Sequence, residues 1–377
     1  MELLDILRER GVECSVIVPR DIGDGSLIGE LTSRGISVER LSYTWWTTKG
    51  SVLWKRVGRT LLNIVKSIAI ARQIRRWQCD IVYTNTATIC VGALAAKFLN
   101  LPHVWHIHEF GYEDHGLIFD LGEKLSQRLM DLCSSVCVVN SESVAQKYQR
   151  YITPTKMRVV YQSVNVIHHG ASELKILFKS PHAGIRCVIV GALQEGKGQA
   201  DAIRAVHWLS QAGIESELII VGDGDEHYRD FLHKLVRETK LKKHVRLIGF
   251  KEDPFPFMQA ADVVLMCSRN EAFGRVTVEA LKLGKPVIGA RSGGTTELIY
   301  DGFNGYMYTP GDYTDLAEKI RFLYKNTRLL KKLGVNGRRW ATKRFTRDLY
   351  GKSILNILRQ IDNRKDYRNS STGSLIV

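Results

Sequence analysis

The stretch SRNEAFGRVTVEALKLGKPVIGARSGGTTELI, residues 268–299, decides the fold. It follows the apolar strand candidate DVVLM (262–266) and contains a helical segment and a second strand candidate, PVIGA (286–290). In open α/β sheets, ligands bind beyond the carboxyl ends of the strands. Gly274 permits close approach of a ligand, and the N–H groups from Gly274 to Thr277 begin a helix whose dipole favours anions. The stretch therefore predicts an anion site at a strand end.

Two glutamates stand on either side of this predicted anion site. Eight residues on one continuous helix would separate Glu271 and Glu279 by about 80°, so they are not a metal pair on one face. A nucleotide sugar has hydroxyls at both ends and phosphates between them, and carboxylates accept hydrogen bonds from hydroxyls. Such a ligand fits the layout. Spacing alone leaves it equally open that Glu279 is a solvated residue of a first helical turn and Glu271 a loop charge.

Outward from this stretch, short apolar segments alternate with helical patterns along the chain. Continuous apolar strands separated by helices indicate parallel sheets covered on both faces, and two such series indicate two doubly wound domains. The first series comprises CSVIVP (14–19), DIVYT (80–84), VWHIH (104–108), VCVVN (136–140) and VVY (159–161). The second comprises CVIVGA (187–192), ELIIVG (217–222), HVRLIG (244–249), DVVLM and PVIGA.

The predicted domain boundaries follow from these two series. We expect an N-terminal domain over 1–170, a C-terminal domain over 171–345, a helix over 346–361 that packs back on the N-terminal domain, and a polar, disordered tail over 362–377. A doubly wound domain normally begins with a strand and a Gly-rich turn, whereas this chain begins with the helical pattern MELLDILRERG. We interpret the N-terminal domain as truncated, its first strand lost from this chain or from the gene.

Composition narrows the class of protein. The 377 residues are 44% hydrophobic and 25% charged, as in ordinary globular proteins. Seven scattered cysteines without metal-ligand spacing favour a reducing, cytoplasmic compartment. No apolar run reaches the ~18 residues that a membrane-spanning helix needs. The net charge of +15 favours anionic partners such as nucleotides, nucleic acid or anionic lipid.

The stretch 268–299 resembles the signature of the family 4 retaining glycosyltransferases of the GT-B fold. The family pattern S-x-x-E-x-F-G-x-V-x-x-E-A stands here as SRNEAFGRVTVEA, and the patterns G-x-P-V-I and G-G-x-x-E follow as GKPVI and GGTTE. The match covers about 185–345 well and 80–165 weakly. It implies an α/β GT-B fold, with two Rossmann-like doubly wound domains facing a central cleft. It also implies transfer of a sugar from a nucleotide-diphosphate donor to an acceptor hydroxyl, with retention of configuration and without a metal.

The resemblance also implies roles for individual residues. Glu271 contacts the transferred sugar, Glu279 binds the ribose hydroxyls, and Lys197 neutralises the diphosphate leaving group. The family's arginine position holds Ala192, and we take Arg275 as a partial replacement for that arginine. For Lys197, a surface lysine in a Gly turn is the alternative. The implied donor-binding residues are Gly191, Lys197, Gly222, Glu271, Ala272, Phe273, Gly274, Arg275, Val276 and Glu279.

In the first domain, His108 stands where the family often has an active-site histidine near the sugar. The resemblance therefore makes Glu271, His108 and Lys197 the candidate catalytic residues. A core histidine is the alternative for His108, and we interpret His106 as structural. We expect four neighbouring titratable residues to shape the acceptor site: Glu109, Glu113, Asp114 and His115.

Residues 44–77 carry four tryptophans, an apolar stripe and basic but no acidic residues. This suits a helix lying on an anionic membrane, here the inner face of the cytoplasmic membrane, and a lipid-linked or cell-envelope glycan acceptor would explain such contact. A core-packed helix with a solvated basic face is equally compatible with the pattern.

Three other functions stay open on the sequence. Another GT-B enzyme, such as a nucleotide-sugar epimerase, would convert the donor without an acceptor. A donor-binding but catalytically impaired protein would account for the missing first strand and for Ala192. Nucleic-acid binding fits the charge, but no recognition motif supports it.

The D-G-D within VGDGDEH (221–227) matches the family's V-G-x-G strand end, so we expect no metal there.

Overall fold

The computed structural model describes residues 1–21, 25–50, 52–170, 184–362 and 373–376. The chain divides into two compact units. Unit 1 comprises Met1–Gln162 and Arg347–Val377, and unit 2 comprises Ser163–Thr346. The predicted boundary between residues 170 and 171 lies at the edge of the described residues, because residues 171–183 are outside them.

Unit 1 is built on a seven-stranded parallel sheet with the order β2-β1-β15-β4-β5-β7-β8. Its strands are β1 (Val12–Pro19), β2 (Ser37–Leu41), β4 (Ile81–Thr84), β5 (His103–Ile107), β7 (Val136–Val139), β8 (Met157–Val159) and β15 (Gly373–Ile376), with a separate pair β3 (Thr47–Thr48) and β6 (Ile118–Phe119). Its helices are α1 (Glu2–Arg8), α2 (Gly25–Ser33), α3 (Leu53–Arg76), α4 (Val91–Leu99), α5 (Tyr112–His115), α6 (Gly122–Cys133), α7 (Glu142–Tyr148) and α15 (Arg347–Ile361).

Unit 2 is built on a six-stranded parallel sheet with the order β11-β10-β9-β12-β13-β14. Its strands are β9 (Ile185–Val190), β10 (Ser216–Val221), β11 (Val245–Leu247), β12 (Val263–Met266), β13 (Val287–Ala290) and β14 (Gly305–Tyr308). Its helices are α8 (Gln199–Gln211), α9 (Glu226–Glu238), α10 (Phe255–Ala260), α11 (Arg275–Lys282), α12 (Thr295–Leu298), α13 (Tyr313–Lys325) and α14 (Thr327–Arg344).

Several strands in both sheets are buried along their whole length. Every residue of β4, β7, β12 and β13 is buried, which explains why these strands read as continuous apolar runs rather than alternating patterns. In unit 2, β9 lies between β10 and β12, so the strand order reverses there. Such a reversal opens a crevice at the carboxyl ends of the two strands, where ligands bind.

The C-terminal tail differs from the sequence-based expectation of disorder. Residues 373–376 form β15, a parallel strand between β1 and β4, with Leu375 opposite Cys14 on one side and Ile81 on the other. Leu375 is buried in the core of unit 1. The polar composition of 362–377 hid a short apolar segment whose partners are distant in sequence. Residues 363–372 lie outside the described residues.

Helix α15 packs in unit 1 beside α1. Tyr350, Ile354 and Leu358 of α15 share a core cluster with Ile6 and Leu7 of α1. The two helices also exchange ion pairs at their ends, from Arg10 to Asp348 at 2.8 Å and from Arg347 to Glu9 at 2.8 Å. Among the described residues, no helix is both long and apolar enough to cross a membrane.

Candidate functional site

Lys197 and Glu271 come together at the reversal point of the unit 2 sheet. Lys197 ends a short 3₁₀ turn after β9, and Glu271 lies in the loop after β12. The Nζ of Lys197 donates a hydrogen bond to Oε2 of Glu271 at 2.9 Å. Two candidate catalytic residues, 74 positions apart in sequence, therefore form one ion pair at the carboxyl ends of neighbouring strands.

Gly198 allows the turn that carries Lys197 to lie close to the loop after β12. Its φ of +69° lies in the left-handed region, and a Cβ there would overlap with the backbone of Cys267 at the end of β12. The main chain beyond Lys197 thus packs directly on the β12 loop. The Lys197 side chain is 27% exposed and that of Glu271 is 15% exposed, so a ligand in the crevice can reach both charges.

Gly293 and Gly294 hold the Glu271 loop from the other side. The N–H of Gly294 donates to the Glu271 carbonyl at 2.7 Å, and a Cβ on Gly293 would overlap with that same oxygen. A Cβ on Gly294 would lie 2.7 Å from the carbonyl oxygens of Ala272 and Phe273. The glycine pair after β13 therefore positions the loop that carries Glu271.

Glu279 has a different partner from Glu271. Its Oε1 accepts a hydrogen bond from Nε of Arg275, one turn earlier on α11, at 3.0 Å. Burial raises the pKa of Glu279, and the neighbouring Arg275 partly opposes this shift. The sequence-based hypothesis used Arg275 to replace the arginine missing at Ala192, whereas here Arg275 pairs with Glu279.

The amino end of α11 begins at Gly274, with a φ of +93°. Within the first turn, the hydroxyl of Thr277 is buried and has no hydrogen-bond partner among the described residues. A buried hydroxyl without a partner costs free energy, so its position beside free helical N–H groups favours an anionic ligand. The sequence analysis considered the N–H groups of this turn but missed the Thr277 side chain. A hydroxyl residue in the first turn of the helix is visible in V-T-V-E (276–279).

The other predicted loop residues are placed by packing. Phe273 is buried, and its ring lies 5.9 Å from the ring of Phe345. Ala272 is buried and Val276 is half-buried. Because the Phe273 side chain faces the core, only its main chain is available to a ligand.

Gly191 and Gly222 mark the carboxyl ends of β9 and β10. A Cβ on Gly222 would overlap with the Gly191 carbonyl, so these glycines allow the two strand ends to approach. Next to them, the carbonyl of Ala192 accepts a hydrogen bond from Nε2 of the buried Gln199 at 2.8 Å. Gln199, the residue after K-G, fixes this loop and was missed from the sequence.

The D-G-D acids of unit 2 have structural roles. Asp225 caps α9 by accepting a hydrogen bond from the N–H of Tyr228 at 2.8 Å. Asp223 accepts hydrogen bonds from the N–H of Gly224 at 2.9 Å and from Arg229 at 3.1 Å. Both carboxylates are therefore used within the strand end and the first turn of α9.

His108 lies at the carboxyl end of β5 in unit 1. Its Nε2 is 2.9 Å from Oδ1 of Asn85, and its Nδ1 is 2.8 Å from Nε2 of Gln162. An amide oxygen at Nε2 and an amide nitrogen at Nδ1 match a neutral imidazole with its proton on Nε2. Burial lowers the pKa of His108, against a smaller opposing effect of Glu109, and so favours this neutral form.

His106 is a core residue, as the sequence analysis expects. It is fully buried, its Nδ1 lies 2.6 Å from the hydroxyl of Tyr83, and its ring centroid lies 4.0 Å from that of His108. Burial, and then the neighbouring His108, lower the pKa of His106 well below its ordinary value. Burial therefore favours the neutral form of both histidines.

The residues proposed to shape the acceptor site make local contacts. Glu109 accepts hydrogen bonds from the Thr86 hydroxyl at 2.8 Å and from the N–H of Ala87 at 3.2 Å, and it thereby fixes the loop after β4. Asp114 accepts from the N–H groups of Phe110 and Gly111 at 2.8 Å. Glu113 forms an ion pair with Lys147, and His115 lies 3.7 Å from Asp114.

Two family profiles together match most of the chain. The profile described as Glycosyltransferase Family 4 matches residues 1–167, and the profile described as Glycosyl transferases group 1 matches residues 177–340. The chain belongs to the family 4 type of glycosyltransferases. Its GT-B fold is shared with Anabaena Alr3699/HepE, solved in complex with UDP, at a TM-score of 0.76 and 23% identity over 95% of each chain.

Three glycosyltransferases illustrate the proteins to which this chain is similar in sequence. An uncharacterized glycosyltransferase of Methanocaldococcus jannaschii, MJ1178, is 29% identical over 67% of each chain. The lipopolysaccharide core biosynthesis glycosyltransferase LpsE of Rhizobium meliloti is 34% identical over 45% of this chain and only 48% of its own length. The UDP-Gal:alpha-D-GlcNAc-diphosphoundecaprenol alpha-1,3-galactosyltransferase of Escherichia coli is 24% identical over 81% of this chain and 80% of its own.

Proposed function

We propose that this glycosyltransferase moves a sugar, with retention of configuration, from a nucleotide-diphosphate sugar to an acceptor hydroxyl. The observation that carries the proposal is the Lys197–Glu271 ion pair at the reversal point of the unit 2 sheet. It places one positive and one negative group at the end of the crevice where a parallel sheet binds its ligand. A diphosphate and a sugar hydroxyl are the complementary pair of ligand groups.

Each site residue has a defined part in the proposed mechanism. Lys197 moves from Glu271 to the diphosphate and stabilises the negative charge that develops on it. Glu271, released from Lys197, accepts hydrogen bonds from hydroxyls of the transferred sugar. The first turn of α11 and the Thr277 hydroxyl bind the distal phosphate, and Glu279 binds the ribose. The backbone near Gly191 and Gly222 lets the nucleotide approach the strand ends.

The proposed reaction is a same-face substitution at the anomeric carbon. The bond from the anomeric carbon to the β-phosphate oxygen breaks, and the bond to the acceptor oxygen forms on the same face. The acceptor's proton passes to the oxygen of the leaving β-phosphate. This step needs no protein nucleophile, so Glu271 orients the sugar and stabilises charge without bonding to it.

His108 contributes as a neutral hydrogen-bonding group in this proposal. Its lowered pKa and its two amide partners disfavour the imidazolium. It therefore binds a hydroxyl of a sugar or of the acceptor, and it does not serve as a general acid.

A UDP sugar is the first donor to test. The structurally similar Alr3699/HepE was solved with UDP and with UDP-glucose, and the E. coli relative is named for UDP-Gal. We propose that no metal takes part, since Lys197 and the amino end of α11 supply the positive potential that the leaving diphosphate requires.

We further propose that the acceptor is a lipid-linked or cell-envelope glycan reached at an anionic membrane surface through α3. Helix α3 has two apolar faces. One packs in unit 1 through Ile70, Ala71 and Ile74. The opposite face is an exposed stripe at helical spacing, formed by Trp54, Val57, Leu61, Val65 and Ile68. We call these five residues the α3 stripe.

Charge complementarity makes an anionic membrane the occupant of the α3 stripe. Helix α3 carries basic and no acidic residues, and Lys55 lies over the Trp54 ring at 5.4 Å. Arg59 fixes the helix to unit 1 through the buried Asp120, with Nε to Oδ2 at 2.9 Å, and leaves the stripe exposed. An apolar stripe among cations is the composition of helices that lie in a lipid interface.

The experiment that tests the donor site measures donor hydrolysis and transfer over a panel of nucleotide sugars. We expect Lys197→Ala and Glu271→Ala each to lower kcat by about 10²- to 10³-fold, the typical effect of removing a group that stabilises transition-state charge. Lys331→Ala, at an exposed position of α14, serves as the control and should leave kcat unchanged. Unchanged kcat in both site variants would refute the site assignment.

A donor-binding protein without turnover is the second candidate, because Ala192 leaves half of the family's cationic pair empty. Equilibrium binding separates the two functions. Tight binding of a nucleotide sugar together with no transfer to any acceptor and no hydrolysis would establish the second candidate. Binding of no nucleotide sugar at all would refute both.

A further inference from the structure

The centre of the unit 1 sheet is filled by a strand from the far end of the chain. Strand β15 runs parallel to both neighbours: residues 373–376 pair with Val12–Ser15 of β1, and residues 375–376 pair with Ile81–Val82 of β4. In the sheet order β2-β1-β15-β4, no other described segment joins β1 to β4. The two halves of the sheet are thus connected through four residues.

We call the position between β1 and β4 the strand slot. An empty strand slot would lower the folding stability of unit 1. Strand β4 is buried along its whole length, and Cys14, Ser15, Val16 and Val18 of β1 are buried. Without a strand in the slot, N–H and C=O groups of β1 and β4 would face each other without partners in a water-poor interior. A sheet with its centre missing would therefore lose stability across unit 1.

The described residues of β15 pair with only part of β1 and part of β4. Strand β15 ends opposite Ser15 and Val82, whereas β1 continues to Pro19 and β4 to Thr84. Beyond the end of β15 lies a cavity of about 350 Å³ lined by Val16, Val18, Val82 and Tyr83, among others. The cavity is therefore bordered by residues of both β1 and β4.

We propose that unit 1 is closed by its own C-terminal segment, which docks in cis into the strand slot and completes the sheet. The sequence of the segment suits this role. Residues 374–377, SLIV, follow a run of polar residues and glycine and are the apolar end of the tail. Leu375 enters the same core cluster as Val16, Ile81 and Val104. The inference concerns the assembly of unit 1 and stands independently of the proposed transfer reaction.

A disulfide trap tests the register of β15 directly. Cys14 is a buried, free cysteine opposite Leu375. Neighbouring strands lie about 4.8 Å apart, within the Cα separation that a disulfide spans. In a Leu375→Cys variant of the full chain, we expect oxidation by diamide to join Cys14 to the introduced thiol within the same molecule, in most molecules. Burial raises the pKa of the Cys14 thiol to about 12, so incubation takes hours at mildly alkaline pH.

Two controls accompany the trap. Position 374 pairs with Glu13 rather than Cys14, so a Ser374→Cys variant should give little of the product. Adding Cys14→Ser to Leu375→Cys should abolish it. Peptide mass mapping identifies the bond. A disulfide from Cys14 to the introduced thiol of a second molecule would overturn docking in cis in favour of strand exchange. If neither disulfide forms, then another segment, or no segment, fills the strand slot.

A second measurement reports the effect on the sheet. Leu375→Asp places a charge in the core, and amides of β1 and β4 should then exchange with solvent on the order of tenfold faster or more, while amides of unit 2 do not change. Leu132→Asp, the same substitution at an exposed position of α6, is the matched control. Equal exchange in the two variants would contradict the proposal.

Discussion

At the scale of single residues, Glu271 owes its position to three separate stretches of chain. Lys197 binds its side chain, and Gly293 and Gly294 contact its carbonyl. The sequence predicts Lys197 and Glu271 as site residues because each belongs to a recognisable motif. It does not predict that they pair with each other, since that contact depends on the order of strands in the sheet. The Thr277 hydroxyl was likewise hidden until its burial was known.

The first prediction at this scale concerns Gly293. Its φ of +50° and the overlap of a Cβ with the Glu271 carbonyl mean that Gly293→Ala must shift the loop. We expect a loss of about 1–3 kcal/mol in unfolding free energy and a fall in kcat larger than the change in KM for donor. Gly58→Ala on α3, where a Cβ meets no atom within 4 Å, is the control for glycine substitution. Wild-type kinetics in Gly293→Ala would contradict this role.

The second prediction concerns the pH dependence that Glu279 confers. Burial raises its folded-state pKa above the ordinary value of 4.5, so the folded state binds the proton more tightly than the unfolded state. Its contribution to stability is therefore most favourable below about 4.5 and is lost as pH rises through the raised folded-state value. We expect Glu279→Gln to stabilise the protein at pH 7 relative to wild type, with the difference shrinking toward pH 4.

Thermal or urea unfolding across this pH range checks the sign of the Glu279 effect. The same variant should bind the nucleotide less tightly if Glu279 holds the ribose. A variant that is destabilised at pH 7 and less destabilised at pH 4 would show that the Arg275 ion pair, rather than burial, dominates.

At the scale of secondary-structure elements, the apolar strands were predictable and β15 was not. The segments 80–84 and 262–266 correspond to β4 and β12 because a buried parallel strand is a short, continuous apolar run. Strand β15 has the same apolar character over few residues. Its neighbours are distant in sequence: Gly373 pairs with Val12 and Leu375 with Ile81, separations of 361 and 294 positions. Local patterns contain no information about such a pairing.

Helix α3 gives the prediction at the element scale. Replacing Leu61 and Val65 of the α3 stripe by Asp should lower binding to phosphatidylglycerol vesicles by about tenfold or more, because each change removes apolar area from the lipid contact and adds repulsion. Neutral phosphatidylcholine vesicles should bind the wild type weakly. Leu132→Asp on α6 controls for a new surface charge. Equal vesicle binding by the stripe variant and the wild type would refute the membrane proposal.

At the scale of the whole molecule, the two parallel sheets differ in which parts of the chain supply their strands. Unit 2 is continuous in sequence, from Ser163 to Thr346, and all of its strands follow one another. Unit 1 combines residues from both ends of the chain. From the sequence we expect the helix over 346–361 to pack on the N-terminal domain, whereas the strand that follows it was not anticipated.

The prediction at this scale is the response of the enzyme to chelation. If Lys197 and the amino end of α11 together replace a metal, then EDTA should leave the rate of sugar transfer within about twofold of its untreated value. The assay is transfer by the full chain before and after dialysis against EDTA, with and without added Mg²⁺ or Mn²⁺. A loss of activity that Mg²⁺ or Mn²⁺ restores would show that a cation completes the diphosphate site.

The position of β15 also determines when the protein can finish folding during synthesis. Residues 373–376 are translated after all of unit 2, so the ribosome has produced both units before the sheet of the first one can close. Unit 1 must wait with β1 and β4 apart, while unit 2 can fold as soon as it emerges.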